Sequence, residues 1–306
     1  MEVTRRPEDK IYKLFLDPTG KHLVIALENG ENLYQYQKWK KPKVLSKSKG
    51  VVIESIAWNK AKGGDASTRE ILVGSNKGQI FETSIEPTED FFKKEDKYFK
   101  QVYKIEDPVP ITNLVFEVFP GGSKKYVVMA TTPTRLYQFV GNIGPAQGPI
   151  FDAIFQNYLT NPGFVELPGD LPFSELTFFS QFQGLPKYFA WLTCTRLVFL
   201  CLPVLPSSCS HIPLLSAPGI FNGNIVFGSQ ETLTDGATLM NFPKLKAREG
   251  PYAKEDLSHP LSISLTEFHF VLLYPDRIVC VNRLNQATVF EEFFPQVWTP
   301  LFSTSS

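Results

Sequence analysis

Apolar and polar positions along this chain repeat a simple unit: an apolar run, a tight turn, and a second apolar run. Residues 23–27 precede Glu28, Asn29 and Gly30 and then residues 33–36. Residues 71–73 precede a turn at 74–78 and residues 80–81, and residues 126–130 precede a turn at 131–134 and residues 136–139. A fourth run occupies 189–192, and a fifth, 270–273, leads through Tyr274, Pro275 and Asp276 into 278–281. Upstream of each copy lies a further strand candidate, at 11–16, 53–58, 111–119, 175–179 and 262–268. Several alternate with the period of two that a half-buried strand needs. The turns between them carry breakers, as at Asp17, Pro18, Thr19 and Gly20, where Pro presets φ and Gly permits the exit.

The copies begin at residues 23, 71, 126, 189 and 270, at intervals of 48, 55, 63 and 81. Four strands of ~5–6 residues with their loops fill the first three intervals. The expected fold is therefore all-β: a partial β-propeller of about five blades, each a four-stranded antiparallel sheet. A WD-type propeller does not fit, because its unit is ~40–45 residues and carries Trp-Asp. Here the four Trp precede Lys40, Asn59, Leu192 and Thr299. One short helical insertion is expected at 150–160, where Phe151, Ile154, Phe155, Tyr158 and Leu159 share a helical face. Asn161, Pro162 and Gly163 would stop it.

The fourth interval is too long. Residues 194–216 contain one charge (Arg196) and three internal prolines, and follow neither a strand nor a helix period. Without these 23 residues the interval falls back among the others, and the strand ending at Thr193 would run directly into Ala217. The expected domain is 1–295, interrupted by an atypical apolar insert at 194–216, with an unstructured tail at 296–306. A non-native insert, such as translated intron, is the first reading of 194–216. An unusual binding loop and an interfacial membrane segment remain as others.

Composition adds exclusions. The 31 basic and 31 acidic residues cancel, so no global attraction to nucleic acid or anionic membrane is indicated. The 26 Phe and 24 Pro suit turn-rich strands better than helices. Only four Cys occur, and the opening residues lack an apolar signal core, which points to a cytosolic protein. Cys194, Cys201, Cys209 and His211 have spacings unlike the tight knuckles of structural zinc sites, so no metal is assigned. The Gly74–Gly78 turn joins two strands and opens no helix, so it is not a phosphate loop. His22 follows the Gly20 turn and is expected to be solvated. His269 is expected within a strand. No catalytic or cofactor-binding residue is assigned.

The most basic stretch places six Lys in residues 38–49. Lys38, Trp39, Lys40, Lys41 and Lys43 are the candidate contact for an acidic partner or lipid headgroups. A solvated loop is the plain alternative.

Ordered matches suggest a family: residues 10–27 (KIYKLFLDPTGKHLVIAL), 52–60 (VIESIAWNK), 67–74 (STREILVG) with 78–82 (GQIFE), 130–132 (ATT) with 135–141 (RLYQFVG), 188–192 (YFAWL) and 265–273 (LTEFHFVLL). Together they resemble the N-terminal propeller of the Pep3/deep orange family, vacuolar protein sorting-associated protein 18. The resemblance implies a non-catalytic scaffold subunit of the class C tethering complexes, HOPS and CORVET. Its partners would be the other class C subunits and, indirectly, SNARE proteins. Its place would be peripheral, on the cytosolic face of late endosome, lysosome or vacuole membranes. The family propeller extends beyond both ends of this chain and is followed by an α-solenoid and a RING-type zinc finger, so about two further blades are expected to close a ring. Two other readings stay open: a truncated, non-functional fragment, and a propeller enzyme with an unrecognised central site.

Overall fold

The computed structural model describes residues 9–60, 66–88, 96–118, 124–145, 148–160, 162–166, 174–179, 188–193, 197–201, 224–227, 238–241, 262–265, 269–273 and 278–282. The chain divides into two compact units, Met1–Glu166 and Leu167–Ser306. The 296–306 tail, Asn161 and all of 194–216 except Leu197–Cys201, including Cys194, Cys209 and His211, lie outside the described residues.

The first unit holds three four-stranded antiparallel meanders, each built from consecutive strands. The first contains β1 (Ile11–Leu16), β2 (His22–Leu27), β3 (Asn32–Tyr36) and the short β4 (Lys43–Val44). The second contains β5 (Ile53–Ala57), β6 (Glu70–Ser75), β7 (Gln79–Ile85) and β8 (Asp96–Lys104). The third contains β9 (Asn113–Val118), β10 (Lys125–Thr131), β11 (Arg135–Asn142) and β12 (Phe164–Glu166). The repeated apolar runs supply β2, β6 and β10, which lie inside their sheets. The expected turns appear as drawn from sequence: Gly78, between β6 and β7, has φ +74°, and a Cβ there would come within 2.7 Å of the Asp107 carbonyl.

Alternation on β6 explains how the sheets stack. Ile71 and Val73 join a core with Val24, Ala26, Tyr34 and Tyr36 of the first sheet. Leu72, between them, faces the other way, into a core with Leu114, Val128 and Phe139 of the third. Both faces of the second sheet are therefore interior. Gly74 marks the closest approach: a Cβ there would lie 2.5 Å from Ser55 Oγ and 2.7 Å from Ile111 Cβ. Ser55 Oγ donates across this gap to the Ile111 carbonyl at 2.6 Å.

A short insertion fills the space between the second and third sheets. Helix α1 (Asp152–Phe155) passes into a 3₁₀ turn (Gln156–Tyr158). Phe151, Ile154 and Phe155 are fully buried, and Phe155 lies 5.2 Å from the Tyr103 ring and 4.9 Å from the Phe139 ring. The helix is shorter than the sequence suggests, and Leu159 is 58% exposed rather than on the buried face. Tightening from 3.6 to three residues per turn shifts the phase and turns Leu159 outward.

Glu82 holds this insertion in place. Its carboxylate is wholly buried and accepts the Ile150 and Phe151 amides, each at 2.8 Å, and the Tyr98 hydroxyl at 2.7 Å. Burial pushes its pKa above the ordinary 4.5, and these donors pull it only partly back. Asp17 has the opposite balance. Burial alone would raise it, but Thr19 Oγ1 and the amides of His22, Thr19 and Lys21 hold it below its ordinary 3.8.

That turn also corrects the expectation for His22, which is fully buried. Asp17 captures its amide as β2 begins, and alternation then puts His22 on the inward face with Val24 and Ala26. Its Nδ1 lies 2.6 Å from the Tyr34 hydroxyl.

The second unit holds a five-stranded sheet and a three-stranded sheet. The larger contains β13 (Ser174–Phe179), β14 (Tyr188–Thr193), β15 (Leu197–Cys201), β16 (Asn224–Phe227) and β17 (Thr238–Asn241). The smaller contains β18 (Ser262–Leu265), β19 (His269–Leu273) and β20 (Ile278–Asn282). His269 opens β19, as expected of a strand residue. Glu175 bridges the two sheets, accepting the Ile263 amide at 2.9 Å and Ser262 Oγ at 3.1 Å.

The strand order here departs from expectation. β15 comes from the apolar segment 194–216 and pairs antiparallel with β14, from Tyr188↔Cys201 to Leu192↔Leu197. The place beside β14 expected for residues beyond Ala217 is thus taken by Leu197–Cys201. This run is short, apolar and β-prone, and only three residues separate it from β14. β15 then meets β16 in a parallel pair, Val198↔Val226, unlike every other pairing among the described strands.

Two predictions test this packing. Gly74→Ala lowers the stability of the full chain by about 1–3 kcal/mol, and Glu82→Ala by about 2–4 kcal/mol, because two buried amides lose their acceptor; urea denaturation reads both. Unchanged midpoints would show that these contacts are not close-packed in solution.

Acid stability separates the two carboxylates. Asp17's contribution is complete above its ordinary 3.8 and is lost as pH falls through its lower folded value. Glu82's is complete below 4.5 and is lost as pH rises through its higher folded value. A calorimetric Tm profile between about pH 3 and 7 therefore loses part of its acid decline in Asp17→Asn and gains stability toward acid less steeply in Glu82→Gln. Profiles parallel to wild type would contradict the assignment.

Candidate functional site

The lysine-rich connection between β3 and β5 is built on the rim of the first sheet. The Trp39 amide donates to the Tyr36 carbonyl at 2.9 Å, closing the turn after β3. Gln35 Nε2 donates to the carbonyls of Tyr36 and Trp39, each at 2.7 Å, and fixes the turn from inside. Trp39 is half-buried rather than displayed. Its ring meets Tyr34 edge-on at 5.5 Å and Tyr36 at 5.9 Å.

Lys43 is also turned inward. Its Nζ lies 4.2 Å above the Trp39 ring and donates to the Thr88 carbonyl at 2.6 Å. Lys38 is exposed, with its Nζ 6.0 Å from the Tyr36 ring. Lys40 and Lys41 are exposed. All five candidate residues thus sit on one connection, but Trp39 and Lys43 form its packed underside.

The second half of the connection is held as firmly. Leu45 donates its amide to the Asn32 carbonyl at 2.8 Å, and a 3₁₀ turn covers Ser46–Ser48. Asn32 Nδ2 reaches the carbonyls of Ser48 at 3.0 Å and Val51 at 2.9 Å. The Lys47 amide donates to Asp96 Oδ2 at 2.8 Å, and Lys47 Nζ to the Lys97 carbonyl. The Lys47 and Lys49 side chains are exposed. A rigid turn therefore presents Lys38, Lys40, Lys41, Lys47 and Lys49 to solvent.

Sequence patterning did not single out the carboxylates that tie sheets together. Glu54, on β5, meets Lys13 Nζ and the Tyr12 hydroxyl of β1, each at 2.5 Å. Burial, then Glu54 itself, pushes the Tyr12 phenol up to about 12. Glu54, Glu82 and Glu175 share one feature: each is the single acidic residue of its strand. Each is occupied by donors from a neighbouring element. Among the described residues, no group of three or more His, Cys, Asp and Glu is arranged to hold a metal ion. No helix among them is long and apolar enough to cross a membrane.

The family model for the Pep3/Vps18/deep orange beta-propeller domain matches residues 1–208 and 197–300. The chain is 35% identical over 308 residues to vacuolar protein sorting-associated protein 18 homolog of Danio rerio, covering 97% of this chain and 28% of that protein. It is 33% identical over 304 residues to vacuolar sorting protein 18 of Arabidopsis thaliana, covering 95% and 27%. The Drosophila melanogaster homolog is 31% identical over 310 residues, covering 94% and 28%. The chain thus spans little more than a quarter of these relatives. Among solved structures it is similar to the WD40 beta propeller domain of Doa1, with a TM-score of 0.41, 8% identity and coverage of 92% and 68%. The Cps50 (Swd1) beta-propeller domain of Myceliophteria thermophila gives a TM-score of 0.44, 10% identity and coverage of 95% and 70%. Antiparallel sheets with one short helix, together with a family match along nearly the whole chain, make the fold a β-propeller: the chain belongs to the Pep3/Vps18/deep orange β-propeller family.

Proposed function

We propose that this chain is a non-catalytic scaffold module in vacuolar protein sorting, acting within the class C tethering complexes HOPS and CORVET. The observation that carries the reading is the family match, with relatives named for vacuolar protein sorting at 31–35% identity. Residues 1–295 form the propeller domain of this proposal, with 194–216 as an atypical segment and 296–306 as a tail. The working parts are connections held on stacked sheets, and the partners are the other class C subunits and, through them, SNARE proteins. The place of action is the cytosolic face of late endosome, lysosome or vacuole membranes.

The side chains support a binding role. A general acid or base needs an ionisable group within reach of a substrate. Glu82 and Glu175 instead have their oxygens engaged by backbone amides and hydroxyls of neighbouring elements. Recognition by such a module rests on pre-set surface geometry, with a few well-packed contacts carrying most of the affinity.

The test is retention of the other class C subunits by the tagged full chain from cell extract, compared with a tag alone. The proposal expects stoichiometric recovery of at least one such subunit. Recovery no better than the tag would overturn it.

A further inference from the structure

The six lysines of residues 38–49 have no acidic residue among them, in a chain whose total charges cancel. Asp96 accepts the Lys47 backbone amide, and Glu86 pairs with Lys97 at 2.6 Å. In sequence, residues 89–95 carry Glu89, Asp90 and Glu95 with Lys93 and Lys94, a nearly balanced stretch. Among the described residues, the exposed side chains of Lys40, Lys41 and Lys49 have no ion-pair or hydrogen-bond partner.

We propose that this connection is a contact surface for anionic membrane, its exposed lysines resting on phosphate and carboxylate headgroups. The geometry favours a lipid surface over an acidic peptide. β4 is two residues long, too short an edge for an added strand. Lys40, Lys41 and Lys49 are exposed, and Trp39, the aromatic that could grip a side chain or enter the acyl region, is packed on Tyr34 and Tyr36. What remains is clustered positive charge on a stiff support. Laterally mobile anionic lipids can gather beneath it without a groove. The packed Trp39 and the Gln35 hydrogen bonds keep the lysines together, so little conformational freedom is lost on contact. This surface goes beyond the scaffold role and rests on it only for which membrane is met.

The test is sedimentation of the full chain with phosphatidylserine-containing vesicles and with pure phosphatidylcholine vesicles. Binding to the first alone, lost at high salt, is expected. Lys40→Gln/Lys41→Gln lowers the partition coefficient on the order of 25-fold and leaves the urea midpoint unchanged, since neither side chain is packed. Lys93→Gln/Lys94→Gln, on the balanced stretch, serves as the comparison and changes binding little. Equal binding to both vesicle types would overturn the proposal, as would an unchanged partition of the Lys40/Lys41 variant. A double variant that loses vesicles yet retains the class C subunits supports the surface and leaves the scaffold role standing. Vesicle binding without any subunit supports the surface and removes that role.

Discussion

A sheet apolar on both faces cannot hide itself, and this constraint shapes the first unit. Ile71 and Val73 point one way from β6 and Leu72 the other, each at most 2% exposed. Burying such a side chain contributes about 1.5–3 kcal/mol, whereas a typical net hydrogen bond contributes about 1. Packing therefore supplies the stability, and the polar ties select its geometry. Glu82 sets where the α1 insertion enters, Glu54 fixes β1 beside β5, and the Ser55 hydroxyl holds the gap that Gly74 leaves open. Glu175 applies the same device in the second unit.

This logic decides what was legible in the sequence. The middle strands announce themselves because apolar residues on both faces make an unbroken run, as at 71–73 and 126–130. The turns do so because Gly78 needs a positive φ. His22 was misplaced because its burial depends on Asp17 starting β2 at that residue, a side-chain event that no periodicity records. Leu159 fits a continued helix and leaves the buried face only because the helix tightens. β15 was hidden because its apolar run sits within a segment that breaks the repeat as a whole. The carboxylate ties were hidden for another reason. Glu82 looks like an ordinary polar strand position until the insertion brings the Ile150 and Phe151 amides to it.

The candidate site was easier to see than to interpret. Six lysines in twelve residues are plain in the sequence, but their division into an exposed set and a packed support is not. Trp39, one of the five candidate contact residues, braces the turn with Lys43 over its ring. Stability and function thus occupy different parts of one connection: aromatic rings and buried amides below, charge above. A binding module needs this separation, since the charged positions can then meet a partner without loosening the sheet beneath.

The central claim is that the second sheet is interior on both faces. Amide hydrogen exchange of the full chain, resolved by peptide, tests it most directly. Residues 70–75 should be the slowest to exchange in the first unit, opening only with its global unfolding, while residues 43–44 on the sheet edge exchange far sooner. Exchange at 70–75 as fast as at 43–44 would contradict the account.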